Sequence, residues 1–243
     1  MSYDWGVKDL AKGIEKENKP KASVEKRVIK VGRKGPYLVS GGIPLAIQII
    51  DTDAEGTPIE WRTGKKYPPQ DDYSLCRCGQ TKNKPFCDGT HAKVHFEGTE
   101  TASQEPYDDR AEVIDGPALV LTDAVDLCAR ARFCHRAGEI WNLIPLSGDP
   151  KQRIIAAKEA GDCPSGRLVI WDKETKRQIE PVFEPSIGLV EGPRPGMSGP
   201  VWVRGGIPIE SGNGRIYEIR NRVTLCGCGR SRNKPFCDSS HLT

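Results

Sequence analysis

A chain of 243 residues with 36 basic and 33 acidic side chains carries a formal charge of +3, too balanced for the electrostatic footprint of a nucleic-acid binder. No apolar run approaches membrane-spanning length, and the first twenty residues lack a signal-peptide core. Nine cysteines, an odd number, argue against a disulfide framework and for a reducing cytoplasm.

In chain order, residues 1–30 read as a solvated N-terminal arm, because Glu15, Glu17 and Glu25 interrupt its Lys and Arg. The block Gly35–Pro44 predicts a short strand, a hairpin turn at Gly41-Gly42 and a second strand. Asp51–Gly64 is polar and predicts a protruding hairpin or loop. Tyr73–Leu75 predicts a strand leading into the first cysteine loop. Gly98–Glu112 reads as a linker. Beyond it, 117–122 and 168–171 predict strands, and Pro150–Gly161 predicts a helix ending at glycine. A second linker, Glu191–Gly199, precedes a repeat of the first block, Gly199–Pro208, with its own Gly205-Gly206 turn. Arg222–Leu225 then predicts the strand entering the second cysteine loop.

The two loops share the pattern C-x-C-x8-C-x3-H. Cys76, Cys78, Cys87 and His91 form one set; Cys226, Cys228, Cys237 and His241 form the other. Asn83-Lys84-Pro85-Phe86 recurs as Asn233-Lys234-Pro235-Phe236. Three thiolates and an imidazole are soft ligands that suit an iron–sulfur cluster or a Cys3His zinc site. Cys76 and Cys78 are close enough to clamp one metal. Pro85 and Cys87-Asp88 predict a helix start, which would put Cys87 and His91 on one face.

With the intervening residues included, both loops closely resemble the CDGSH iron–sulfur (NEET) family, Thr81 and Ser231 filling its hydroxyl position and Pro85 and Pro235 its proline. Ser239 departs from the family glycine. The resemblance implies a [2Fe–2S] cluster in each loop, one iron on two cysteines and the other on cysteine and histidine. Such a ligand set carries less negative charge than four thiolates, so a potential within about −400 to +300 mV is expected. Protonation of the imidazole competes with iron, so acid is expected to loosen the cluster. The second cluster should go first, since His241 lies near the chain end. Asp88 and Asp238 are read as carboxylates that orient ligands or loop amides, or as helix N-terminal charges.

Cys128, Cys134 and Cys163 remain. Cys163-Pro164 after C-x5-C resembles single-cluster bacterial ferredoxins, in which a thiolate at the central position completes [4Fe–4S] and its absence leaves [3Fe–4S]. Ala131 stands there, so [3Fe–4S] is favoured over [4Fe–4S], with His135 as a conceivable fourth ligand. Arg130, Arg132 and Arg136 would offset the charge. The bland alternative is three buried thiols packing as small hydrophobes. His95, four residues after His91, reads as a surface side chain or as packed on Phe96.

The fold class expected is α+β. Two small β-rich units, 31–97 and 191–243, would form an intramolecular pseudo-dimer around a ferredoxin-like insertion, 98–190. A monomer with an internal pseudo-two-fold is therefore expected. With no nucleophile–base pair, phosphate-binding loop or dinucleotide fingerprint, an enzyme is not the favoured reading. Electron transfer leads, with a redox protein as partner; the alternative is cluster storage, sensing or delivery to an apo iron–sulfur acceptor.

Overall fold

The computed structural model describes residues 27–192 and 198–242. Most of the expected N-terminal arm lies outside them. The first unit contributes β1 (Val28–Val31), β2 (Tyr37–Ser40), β3 (Leu45–Thr52), β4 (Pro58–Lys66) and β5 (Asp72–Leu75), followed by the short helix α1 (Thr90–Lys93). The middle holds α2 (Tyr107–Arg110), β6 (Glu112–Asp115), β7 (Leu119–Asp123), α3 (Ile140–Leu143), α4 (Pro150–Gly161), β8 (Leu168–Asp172) and β9 (Gln178–Ile179). The last part holds β10 (Ser186–Glu191), β11 (Ser198–Arg204), β12 (Ile209–Glu210) and β13 (Arg222–Leu225), closing in a 3-10 turn at Ser240–Leu242.

Three sheets result, with strand orders β12-β1-β2-β5, β13-β11-β10-β3-β4 and β6-β7-β8-β9. The expected strand positions hold within a residue or two, and α4 matches its predicted bounds. Asp149 caps α4 by accepting from the Lys151 amide at 2.9 Å, and Pro150 occupies the first turn. Asp51–Gly64 is the tip and return strand of the β3–β4 hairpin.

The Gly-Gly turns are not hairpin turns. After Gly41-Gly42 the chain leaves its own sheet, and β3 pairs in parallel with β10 of the last part. After Gly205-Gly206, β12 crosses back and pairs in parallel with β1. All four glycines have positive φ, 91° and 64° in one turn and 76° and 69° in the other, a path open to glycine at little steric cost. The two ends of the chain therefore exchange strands reciprocally. Tyr37 opposite Leu75 in one sheet is matched by Val201 opposite Leu225 in the other.

The expected linkers also differ. Gly98–Glu112 is strapped onto the second cysteine loop: the Thr101 and Ala102 amides both donate to the Lys234 carbonyl, at 2.8 and 2.9 Å. It then turns through α2, whose Tyr107 is buried. Glu191–Gly199 lies between antiparallel partners β10 and β11; its residues 193–197 are outside the described set. By its pairing β10, which runs across the expected boundary between residues 190 and 191, completes the last sheet. One hydrophobic core runs through both exchanged sheets, with Ile29, Val39, Leu75, Ile187, Val203 and Leu225 all buried, and reaches Val120, Val169 and Trp171 of the third sheet. The third sheet packs its other face on α3 and α4.

Candidate metal centres

Each cysteine loop hangs from the end of a strand. The Cys76 and Cys226 amides donate to the Pro85 and Pro235 carbonyls at 2.8 Å, and the Cys87 and Cys237 amides donate to Ser74 and Thr224 at 2.9 Å. These bonds, with the bridges Leu75–Phe86 and Leu225–Phe236, hold the third cysteine beside the first. Thr81 and Ser231 close the loops by donating to the Phe86 and Phe236 carbonyls, each at 2.7 Å. Pro85 therefore opens no helix; its segment bridges back to β5, and the helical turns begin at Thr90 and Ser240, after the third cysteine.

What brings cysteine and histidine together is the left-handed residue between them. Gly89 has φ 83° and Ser239 has φ 72°. Cys87 Sγ then lies 3.2 Å from His91 Nδ1, and Cys237 Sγ 3.5 Å from His241 Nδ1. Cys76 and Cys78 sulfurs are 3.7 Å apart, Cys226 and Cys228 sulfurs 3.8 Å. Each loop thus presents two close pairs of soft ligands. Among the described residues, no three such side chains close on the position of a single metal ion.

Asp88 and Asp238 act on loop amides. Asp88 accepts from Lys82 and Thr90 amides at 2.9 and 3.0 Å, and Asp238 from Arg232 and Ser240 at 2.8 and 3.0 Å. The donated amides hold the Asp88 carboxyl below its usual pKa. Burial works against the Asp238 charge, but the Ser240 hydroxyl and the two amides outweigh it and leave that carboxyl lowered too.

The loops differ in their surroundings. Arg77, between the first pair of cysteines, is fully buried; it donates to the Gly32 and Gly98 carbonyls at 2.8 and 2.7 Å and stacks on Tyr37 and Phe96. Its counterpart is Gly227. The Tyr37 hydroxyl in turn donates to the Cys226 and Pro235 carbonyls at 2.9 and 3.0 Å, tying the first sheet to the second loop. In the second loop, burial pushes the Cys237 thiol up to about 12. Burial, aided by the Arg230 guanidinium, holds the His241 imidazole below its ordinary pKa.

Cys128, Cys134 and Cys163 line one cavity of about 510 Å³, with Arg130, Arg132, His135 and Pro164. Burial, together with Cys163 and Cys128 nearby, pushes the Cys134 thiol up to about 12. His135 lines the same cavity while its Nδ1 lies 3.0 Å from Glu139 Oε1. Arg136 is engaged elsewhere, donating to the Ile59 carbonyl and to Asp162. Arg167 also lines this cavity: burial disfavours its charge, but the Asp123 carboxylate at 2.5 and 2.7 Å overrides this, with Cys128 adding to it. Arg222, fully buried on β13, donates to the Cys163 carbonyl at 2.6 Å and to Glu180. Neither arginine was singled out from the sequence, where both partners lie 40 or more residues away. His95 is exposed, beside buried Phe96.

Residues 34–92 and 198–242 match the family of iron-binding zinc finger, CDGSH type. Residues 114–173 match the divergent 4Fe-4S mono-cluster family. The chain thus carries two CDGSH segments flanking a 4Fe–4S-type segment: it is an iron–sulfur protein. The middle match is to a four-iron type and does not favour the three-iron cluster expected at Cys128, Cys134 and Cys163. Neither a curated protein nor a solved structure matches the chain. No helix among the described residues is long and apolar enough to cross a membrane.

Proposed function

We propose that this chain is a one-electron transfer protein with three iron–sulfur centres. Two would be [2Fe–2S], held by Cys76, Cys78, Cys87 and His91 and by Cys226, Cys228, Cys237 and His241. The third would be of the [4Fe–4S] type, held by Cys128, Cys134 and Cys163, with a non-thiolate ligand such as His135 at the position Ala131 leaves empty. The ligands fit these groups. Each CDGSH loop offers two ligand pairs at 3.2 to 3.8 Å, which suits two bridged irons rather than one ion, and the three middle thiols share one cavity.

When bound, such clusters accept and release single electrons without breaking bonds. The protein side chains hold the charge and keep the geometry fixed. Amides of Gln80 and Ser239 donate to Cys78 and Cys237 sulfurs at 3.5 and 3.3 Å, stabilising the thiolates. Arg167 would offset the added negative charge in the middle site. The reciprocal strand exchange supports reading the two CDGSH halves as an internal pseudo-dimer within a monomer.

The observation that carries this reading is the gathering of three thiol sites in one molecule, the two CDGSH loops in backbone contact through Gly79 and Gly229. Iron and sulfide counts with an EPR-monitored redox titration test it. Three reversible one-electron signals that a redox protein partner reduces are the expected result. Transfer of iron and sulfide to an apo acceptor faster than reduction would replace electron transfer with cluster delivery.

A further inference from the structure

The three cysteine sites are not equivalent neighbours. The first and second loops meet back to back: a Cβ on Gly79 would lie 2.6 Å from the Cys228 carbonyl oxygen, and one on Gly229 would lie 2.6 Å from that of Cys78. Only glycine fits at that separation, whatever its φ. The second loop also meets the middle site on its other flank. Asn233 donates to the Asp126 carbonyl at 2.9 Å, two residues before Cys128. Leu242, next to His241, lines the cavity of the three middle cysteines. Cys228 and His241 open into the same cleft as Ala129–Arg132.

The first loop has no such reach. Gly79, Gln80 and Lys84 border the outer cleft, but among the described residues none of the first loop's four ligands lines either that cleft or the three-cysteine cavity.

The geometry points to the second CDGSH loop as the junction of the molecule: the centre held by Cys226, Cys228, Cys237 and His241 exchanges electrons with both others, and the first and middle centres communicate through it. This rests on the three-centre reading above. Each exchange moves one electron, one centre being oxidised as its neighbour is reduced, with no bond or proton transferred. The first electron comes from an external one-electron donor, dithionite in the test and a redox protein otherwise.

The full chain is reduced stepwise with dithionite while the microwave power saturation of the middle centre's EPR signal is followed. Reduction of the second centre is expected to speed relaxation of the middle signal. That enhancement should vanish in Cys237→Ser and persist in Cys87→Ser. The wild-type titration reads the coupling alone, so the inference stands or falls even where a variant fails to fold. A middle signal indifferent to the second centre's redox state overturns the junction, as does equal loss of enhancement in Cys87→Ser. Iron and sulfide counts on the same samples separate the two levels. Iron for the CDGSH loops only would end the three-centre reading and the junction with it. Full loading without enhancement would end the junction alone.

Discussion

Ser239 sits in a left-handed backbone conformation that its counterpart, Gly89, adopts freely. That region costs an L-residue about 1–2 kcal/mol, part of which the added freedom of an unfolded glycine returns, so Ser239→Gly should stabilise the second loop by about 0.5–1 kcal/mol. Urea unfolding and the half-life of visible absorbance check it; an unchanged or shorter half-life would refute the strain argument. Gly79 makes the opposite case. A methyl there meets the Cys228 carbonyl at 2.6 Å, so Gly79→Ala should disturb both CDGSH centres at once, a two-site change in visible circular dichroism from one substitution. A change confined to the first centre would contradict the back-to-back contact. The CDGSH ligands were legible in the sequence because each set spans only sixteen positions with fixed spacing. Arg167 was not, because its partner Asp123 is 44 residues away and nothing local marks either as paired.

At the scale of elements, β13 fastens the middle unit as well as its own sheet. Arg222 donates to the carbonyls of Ala160 and Gly161 at the end of α4, to Cys163 and Leu168 beyond it, and pairs with Glu180. Removing one member of a buried pair leaves its partner uncompensated, so Arg222→Ala should cost about 3–5 kcal/mol and weaken cluster binding in the middle site more than in the first loop. Chemical denaturation with iron counts per variant tests this; equal losses at both sites would mean a global effect only. Strand and helix positions followed from alternation, caps and turn residues. Pairing did not: the sequence marks Gly41-Gly42 as a bend but carries no local sign that β3 pairs with β10, more than 130 residues on. The strap at Thr101 and Ala102 escaped for the same reason, since its polar composition resembles that of a free linker.

At the scale of the whole molecule, a continuous core through the exchanged sheets separates the fold from its metals. Stripping iron and sulfide anaerobically should lower Tm yet leave the far-ultraviolet signature of the sheets, because the loops depend on the metal and the strands on apolar burial. Full loss of that signature in the apoprotein would show that the sheets need the clusters too. The reciprocal exchange also sets a stoichiometry. A half-length polypeptide ending before Gly98 would lose β12 from beside β1 and leave β3 without β10, two raw hydrogen-bonding edges in one small body. Its simplest remedy is a twin, so on gel filtration such a half should elute at twice its own mass.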